Sequence, residues 1–332
     1  MMPNMNRIAR VALAAALCLY AAASAGGTVA AQARPVSAAT LEAWIEELSN
    51  WGRWGPDDQL GTLNLVTAEK RREAVDLVQD GVSVSLARDA EKVEAADNPS
   101  PWIHEMRGVG GGGGSMDTYT IDYHGVIHTH LDSLCHAGRE GQLYNGIPQS
   151  TVREDGCAAL GVDRFKNGII TRGILIDIPW LRGVDYLEPD VVIYSEDLDA
   201  WEEKSGVTIR PGDAVFIRTG RWARRAAVGP WNVGAQGPGP HASTAHWFKA
   251  RDVAIVGTDV GTDVRPSGVE GAGFPLHDLL IFAMGMPLLD NCDLEAISRA
   301  ARARGRWEFM LTAAPLAVPG GTGSPINPIG IF

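Results

Sequence analysis

Four short, unbroken apolar runs constrain this chain most. They are GILIDI at residues 173–178, AVFIR at 214–218, VAIVG at 253–257 and FML at 309–311. A strand with one wet face alternates polar and apolar residues, whereas a continuous run must be covered on both faces. Helical patterns lie between the runs. One covers residues 196–204 behind a Ser195 cap, a second covers 244–250, and a third covers 294–303 behind an Asp293 cap. Buried strands interleaved with helices predict an α/β fold. Upstream, residues 41–48 predict a short amphipathic helix. Thr67 can cap a helix over 68–79 that Gly81 stops, and Val82, Val84 and Leu86 alternate as a strand. No internal repeat is present.

One stretch does not fit that buried pattern. Residues 118–136 read TYTIDYHGVIHTHLDSLCH. Its odd positions from Tyr119 to Leu131 are mostly apolar. Its even positions are Thr120, Asp122, His124, Val126, His128, His130 and Asp132. Extended backbone sends alternate side chains to opposite faces, so this pattern predicts one face on a core and one on a cavity. The cavity face carries three histidines and two aspartates.

His128, His130 and Asp132 stand at i, i+2 and i+4, about 7 Å apart per step on a strand, and can converge on one cation. Imidazole with carboxylate suits Zn²⁺, Mn²⁺ or Fe²⁺ and argues against Cu(I). Crowding so many ionisable groups on one face without a cation would be costly. His136 lies four residues beyond Asp132 and can exchange a proton beside a metal-bound water, since histidine titrates near neutral pH. His124 and Asp122 extend the face and are expected behind the ligands or toward solvent. His277 in PLHDLLI and Asp290 in PLLDNCDLEAIS are candidate distal ligands.

The loop WGRWGPDDQLGTLN, residues 51–64, holds Trp51 and Trp54 with three glycines and a proline. It is either a Trp-anchored plug on the core or an aromatic wall for a planar substrate. Residues 89–117 end in five consecutive glycines, without the helix and lysine of a phosphate loop, and read as a hairpin or lid. Residues 220–239 read as a surface loop or partner contact. The last dozen residues are irregular and apolar enough to dock.

The chain has 332 residues and begins with Arg7 and Arg10, an apolar segment over 11–25, and Ala31-Gln32-Ala33, the pattern of a secretory signal peptide. Cleavage after residue 33 would leave 299 residues as a single domain, residues 34–332. Loss of two arginines and no acid moves the formal charge from −11 to −13. That acidity, with no basic run, excludes nucleic acid and anionic membranes as expected partners. No later apolar run reaches the length of a membrane span. Secretion or a periplasmic location follows as an expectation. Cys135, Cys157 and Cys292 would remain, an odd count that allows one bridge, with Cys135 expected as a small buried thiol.

HTHLDSLCH resembles the HxGTHxDxPxH signature of the metal-dependent cyclase superfamily, which includes bacterial kynurenine formamidase and isatin hydrolase. The similarity continues in order through TRGILIDI, GDAVFIRTG, IVGTDVGTDV, PLHDLLI and LLDNCDLEAIS. The resemblance implies a swivelling β/β/α fold with a mixed, barrel-like sheet, and a homodimer or higher homo-oligomer whose Trp51/Trp54 loop could help build a neighbour's site. It implies His130, Asp132 and His277 as metal ligands, Asp290 as a shorter carboxylate where relatives carry glutamate, and His136 as proton donor and acceptor. Val126 stands in place of the signature's first histidine, His128 in place of its glycine and Leu134 in place of its proline. His128 therefore either replaces the lost ligand or sits behind it, and the cofactor is one or two Mn²⁺ or Zn²⁺ ions.

The reading is a secreted metal-dependent hydrolase of a small molecule. It would cleave a carbon–nitrogen bond of a formamide or cyclic amide. The alternatives are a lactone hydrolase, a cyclase or dehydratase at the same metal, or a periplasmic protein that only binds metal or ligand.

Overall fold

The computed structural model describes residues 33–332, so the expected signal peptide lies outside the described residues apart from Ala33. Nine strands form one mixed sheet. In chain order they are β1 (Ser83–Ser85), β2 (His130–Asp132), β3 (Ile169–Asp177), β4 (Ala214–Arg218), β5 (Ile255–Thr258), β6 (Leu288–Asp290), β7 (Glu308–Ala313), β8 (Gly323–Pro325) and β9 (Ile329–Ile331). Across the sheet the order is β1-β9-β7-β3-β4-β5-β6-β2-β8.

The centre, β3-β4-β5-β6, is parallel, and both flanks are antiparallel. Three of the four predicted apolar runs are these central strands. β4 and β5 are buried throughout, as both-face coverage requires. The fourth run lies within β7, which alternates buried and partly buried residues.

Helices pack where their apolar spacing directs them. Ser37 caps Ala38–Leu48, and Leu41, Ile45 and Leu48 form its buried stripe. Thr67 caps Ala68–Val75, which ends before the expected Gln79. Ser195–Ser205 begins one residue earlier than predicted, because Asp197 closes a capping box with Tyr194. Thr244–Ala250 has its expected bounds, while Glu295–Arg304 starts two residues beyond Asp293, whose carboxylate accepts from the Glu295 N–H. Among the described residues no helix is long and apolar enough to cross a membrane.

Three expectations are corrected. The 118–136 stretch is not one strand: Met116–Thr120 belongs to an exposed hairpin with Ile103–Arg107, and the next strand is only His130–Asp132. Between them the backbone is held from outside, because Asn291 Nδ2 donates to the Gly125 carbonyl at 2.8 Å and Thr129 Oγ1 donates to the Asn291 carbonyl at 2.8 Å. Residues 220–239 are not all loop, since Arg221–Val228 is a helix whose first N–H groups meet the buried Asp259 carboxylate. Cys135 is not a free thiol but is bridged to Cys157, while Cys292 is free and buried.

Candidate metal and proton-transfer site

The sheet brings the chemistry to one edge. β5 and β6 run parallel, and β2 lies antiparallel to β6 with His130 opposite Asp290. Directly opposed residues share a face. His130, Asp132 and Asp290 therefore project together. The short helical turn Pro275–His277 adds His277. The resulting cavity, about 520 Å³, is lined by His124, His130, Asp132, His136, His277 and Asp290, among others.

Asp132 is the hub. Its carboxylate is fully buried, and neither oxygen has a hydrogen-bond partner. Four imidazoles face it instead. His124 Nδ1 lies 3.1 Å and His130 Nε2 3.4 Å from Oδ1, His136 Nε2 is 3.9 Å from Oδ1, and His277 Nε2 is 3.8 Å from Oδ2. Two donors each about 2.1 Å from a shared ion lie roughly 3.0–3.4 Å apart, depending on the bond angle. The His124–Asp132 and His130–Asp132 spacings meet that condition. Two overlapping sets have ligand geometry: His124, His130 and Asp132, and Asp132, His136 and His277. An orphaned buried carboxylate ringed by imidazole nitrogens fits a divalent cation, since both groups are costly to bury unpaired.

Each ring is oriented from behind. The His130 Nδ1–H donates to the His128 carbonyl at 2.8 Å, which turns Nε2 to Asp132. His124 Nε2 meets Thr322 Oγ1 at 2.9 Å, which turns Nδ1 inward. Gly323 leaves room for that ring: a Cβ there would stand 2.9 Å from His124 Cε1 and 2.4 Å from the Leu131 carbonyl. The His277 Nδ1–H donates to Asp263 at 2.6 Å, and Thr262 donates to Asp290. Carboxylates placed behind ligating imidazoles fix their tautomer and raise their basicity. Burial alone would lower the His277 pKa, but the hydrogen bonds and charges of Asp263 and Asp290 hold it well above the ordinary histidine value. For Asp132, burial acts upward, yet the surrounding histidines pull the carboxylate below its ordinary range. His136 is different. Desolvation dominates and lowers its pKa despite the Asp132 charge, which favours the neutral ring. It stacks on His124, with centroids 4.2 Å apart and planes at 6°.

The structure thus gathers five of the expected residues, His130, Asp132, His136, His277 and Asp290. It places His128 elsewhere. His128 Nε2 meets the Ser100 carbonyl at 3.1 Å and its ring packs edge-on against Trp102, because the backbone before His130 leaves the strand. His124 stands beside Asp132 instead. Its presence in the polar stretch was visible, but its reach depended on the irregular turn. Asp263 and Thr262, in GTDVGTDV, carried no sequence signal of their own. Trp51 and Trp54 do not line this cavity. The Trp51 Nε1–H donates to the Phe282 carbonyl at 2.9 Å, and Arg53 covers Trp54 at 4.7 Å, so within one chain this loop is an anchor.

The Cyclase family profile matches residues 63–264. An isatin hydrolase from Roseibium aggregatum is 28% identical over 151 residues, covering 43% of this chain and 54% of that enzyme. The chain therefore matches about half the length of that curated relative. The crystal structure of a cyclase superposes with a TM-score of 0.77 at 28% identity, covering 86% of this chain and all of the other. Isatin hydrolase A from Ralstonia solanacearum superposes with a TM-score of 0.55 at 19% identity, covering 76% and 92%, which supports the shared mixed α/β fold.

Proposed function

Because the chain belongs to the Cyclase family, we propose that it is a metal-dependent hydrolase that opens a carbon–nitrogen bond of a formamide or cyclic amide. The observation that carries the proposal is the Asp132 carboxylate, buried and unpaired among four imidazoles. His124, His130 and Asp132 would hold one divalent ion, Mn²⁺ or Zn²⁺, with His277 and Asp290 alongside. Such an ion supplies a Lewis acid for the substrate carbonyl and a lowered pKa for a coordinated water.

The chain's own residues do the rest. His136, neutral and stacked against His124, accepts a proton at a ring nitrogen and returns it to the departing nitrogen. Keeping His136 free for that work leaves the second ligand set one donor short, which favours a single ion. Thr322 and Asp263 hold the His124 and His277 rings in place. Similarity to isatin hydrolases supports a cyclic amide over a lactone.

The Cys135–Cys157 bridge supports export to an oxidising compartment such as the periplasm. A homo-oligomer completes the proposal, with a small molecule as substrate.

Incubation of the Mn²⁺- or Zn²⁺-loaded chain with isatin, formanilide and dihydrocoumarin in H₂¹⁸O tests the reading. Amide turnover with one ¹⁸O in the product, lost on chelation and restored by metal, is expected. Turnover of the lactone alone would move the assignment to a lactone hydrolase. Product lacking ¹⁸O would favour a cyclase or dehydratase. No turnover of these three or of N-formylanthranilate, a formamide that also bears a carboxylate, would refute the hydrolase.

A further inference from the structure

Arg265 is the one cation lining the cavity whose charge has no carboxylate within ion-pair distance among the described residues. Arg139 nearby is already paired with Asp278 at 3.0 Å. Arg265 makes only long contacts to the Gly234 and Gly261 carbonyls, both at 3.4 Å. Its guanidinium lies over the Phe274 ring at 4.4 Å. Gly261 leaves space for it, since a Cβ there would come 2.8 Å from Arg265 Nη2. Val126 and Phe274 supply apolar walls to the same cavity. Arg265 and Phe274 also border an outer hollow of about 910 Å³, so the guanidinium stands where that hollow meets the inner cavity.

A planar guanidinium with donors left over, flanked by an aromatic face, recognises a carboxylate by paired N–H···O bonds. A half-buried guanidinium without a partner is costly, and an incoming anion would relieve that cost. We propose that Arg265 is the specificity determinant of this cavity and selects small planar molecules bearing a carboxylate, which it holds at the mouth while the rest of the molecule reaches the His/Asp cluster. Burial depresses the Arg265 pKa, although the charges of Asp263 and Asp290 act to raise it. The proposal rests on this cavity being the reactive site but not on which bond is cleaved there.

The test is binding rather than turnover. The Mn²⁺-loaded full chain is titrated calorimetrically with benzoate and with benzamide. The same titrations use Arg265→Met and Arg265→Lys, and each variant's metal content and melting temperature are recorded. Arg265→Met should weaken benzoate at least tenfold and leave benzamide, metal content and melting temperature unchanged. Arg265→Lys should recover part of the benzoate affinity. Equal benzoate binding by wild type and Arg265→Met, no benzoate binding by wild type, or equal loss of benzoate and benzamide would each overturn the proposal. Because benzoate has no bond to hydrolyse, selective benzoate loss would uphold the clamp even if the panel of amides and lactone were inert.

Discussion

Removing the Cys135–Cys157 bridge tests how the fold supports the residue assigned to proton transfer. The bridge joins residues 22 apart, next to His136. Closing a loop of that length restricts the unfolded chain by about 3.4 kcal/mol in the chain-entropy treatment. A folded chain of about 300 residues gains roughly 0.6 kcal/mol per degree of unfolding entropy near its midpoint, so the melting temperature should fall by roughly 5 °C. Cys135→Ala/Cys157→Ala is the variant to use, because both cysteines are buried and a reductant would act slowly. His124, His130 and Asp132 are held by Thr322, by the His128 carbonyl and by β2, through hydrogen bonds that do not include either bridging sulfur. Metal content should therefore stay at the wild-type level while turnover falls, as the peptide carrying His136 is released. Thermal unfolding followed by circular dichroism, with elemental analysis of the same samples, reads both effects. A melting temperature within 1 °C of wild type, or loss of metal together with turnover, would refute the reasoning.

His136→Ala should retain metal and lose turnover by at least a hundredfold, the usual scale of general acid–base assistance; unchanged turnover would remove His136 from the mechanism. Asn291→Ala removes the hydrogen-bond partner of the Gly125 carbonyl and of Arg221 Nη1, leaving the buried guanidinium only its ion pair with Asp97, so a loss of about 2–4 kcal/mol in urea unfolding is expected, with tenfold or weaker Mn²⁺ binding. Asp177 is buried against Arg218 and Arg302; burial acts to raise its pKa, but the Arg218 charge and its hydrogen bonds outweigh that and lower it. Its stabilising contribution is thus present above the ordinary aspartate pKa and lost as pH falls through the depressed value. Asp177→Asn should cost about 3–5 kcal/mol at pH 7 in urea titrations, and the gap to wild type should narrow at pH 3; a gap independent of pH would contradict the assignment.

Much of the framework was legible because it is dictated locally. β3, β4 and β5 are continuous apolar runs that only a doubly covered sheet can hold, and Thr67 caps the helix it was expected to cap. What was illegible depends on distant partners. Alternation over residues 121–129 promised a strand, but the Asn291 side chain, 166 positions from Gly125, satisfies the backbone instead. In the turn braced there, His128 faces the Ser100 carbonyl and His124 faces Asp132. β8 and β9 are three-residue strands of Gly, Ser, Pro and Ile, too short for periodicity to register, and Pro325 is tolerated because β8 lies at the sheet edge. The helix Arg221–Val228 was hidden by its glycine-rich surroundings and depends on the buried Asp259 at its start. The candidate ligands His130 and Asp132 were readable as residue types at strand spacing. Asp263 and Thr322, which orient His277 and His124, were not, because a single aspartate or threonine carries no pattern until the fold brings it alongside.

The chain is expected to hold one divalent ion with His124, His130 and Asp132 rather than with His128. Elemental analysis of the purified wild type beside His124→Ala and His128→Ala, each after equilibration with Mn²⁺ or Zn²⁺ and desalting, tests it most directly. About one equivalent of metal in wild type and His128→Ala, with a small fraction of that in His124→Ala, is the predicted result. Metal lost from His128→Ala and kept by His124→Ala, or absent from all three, would contradict it.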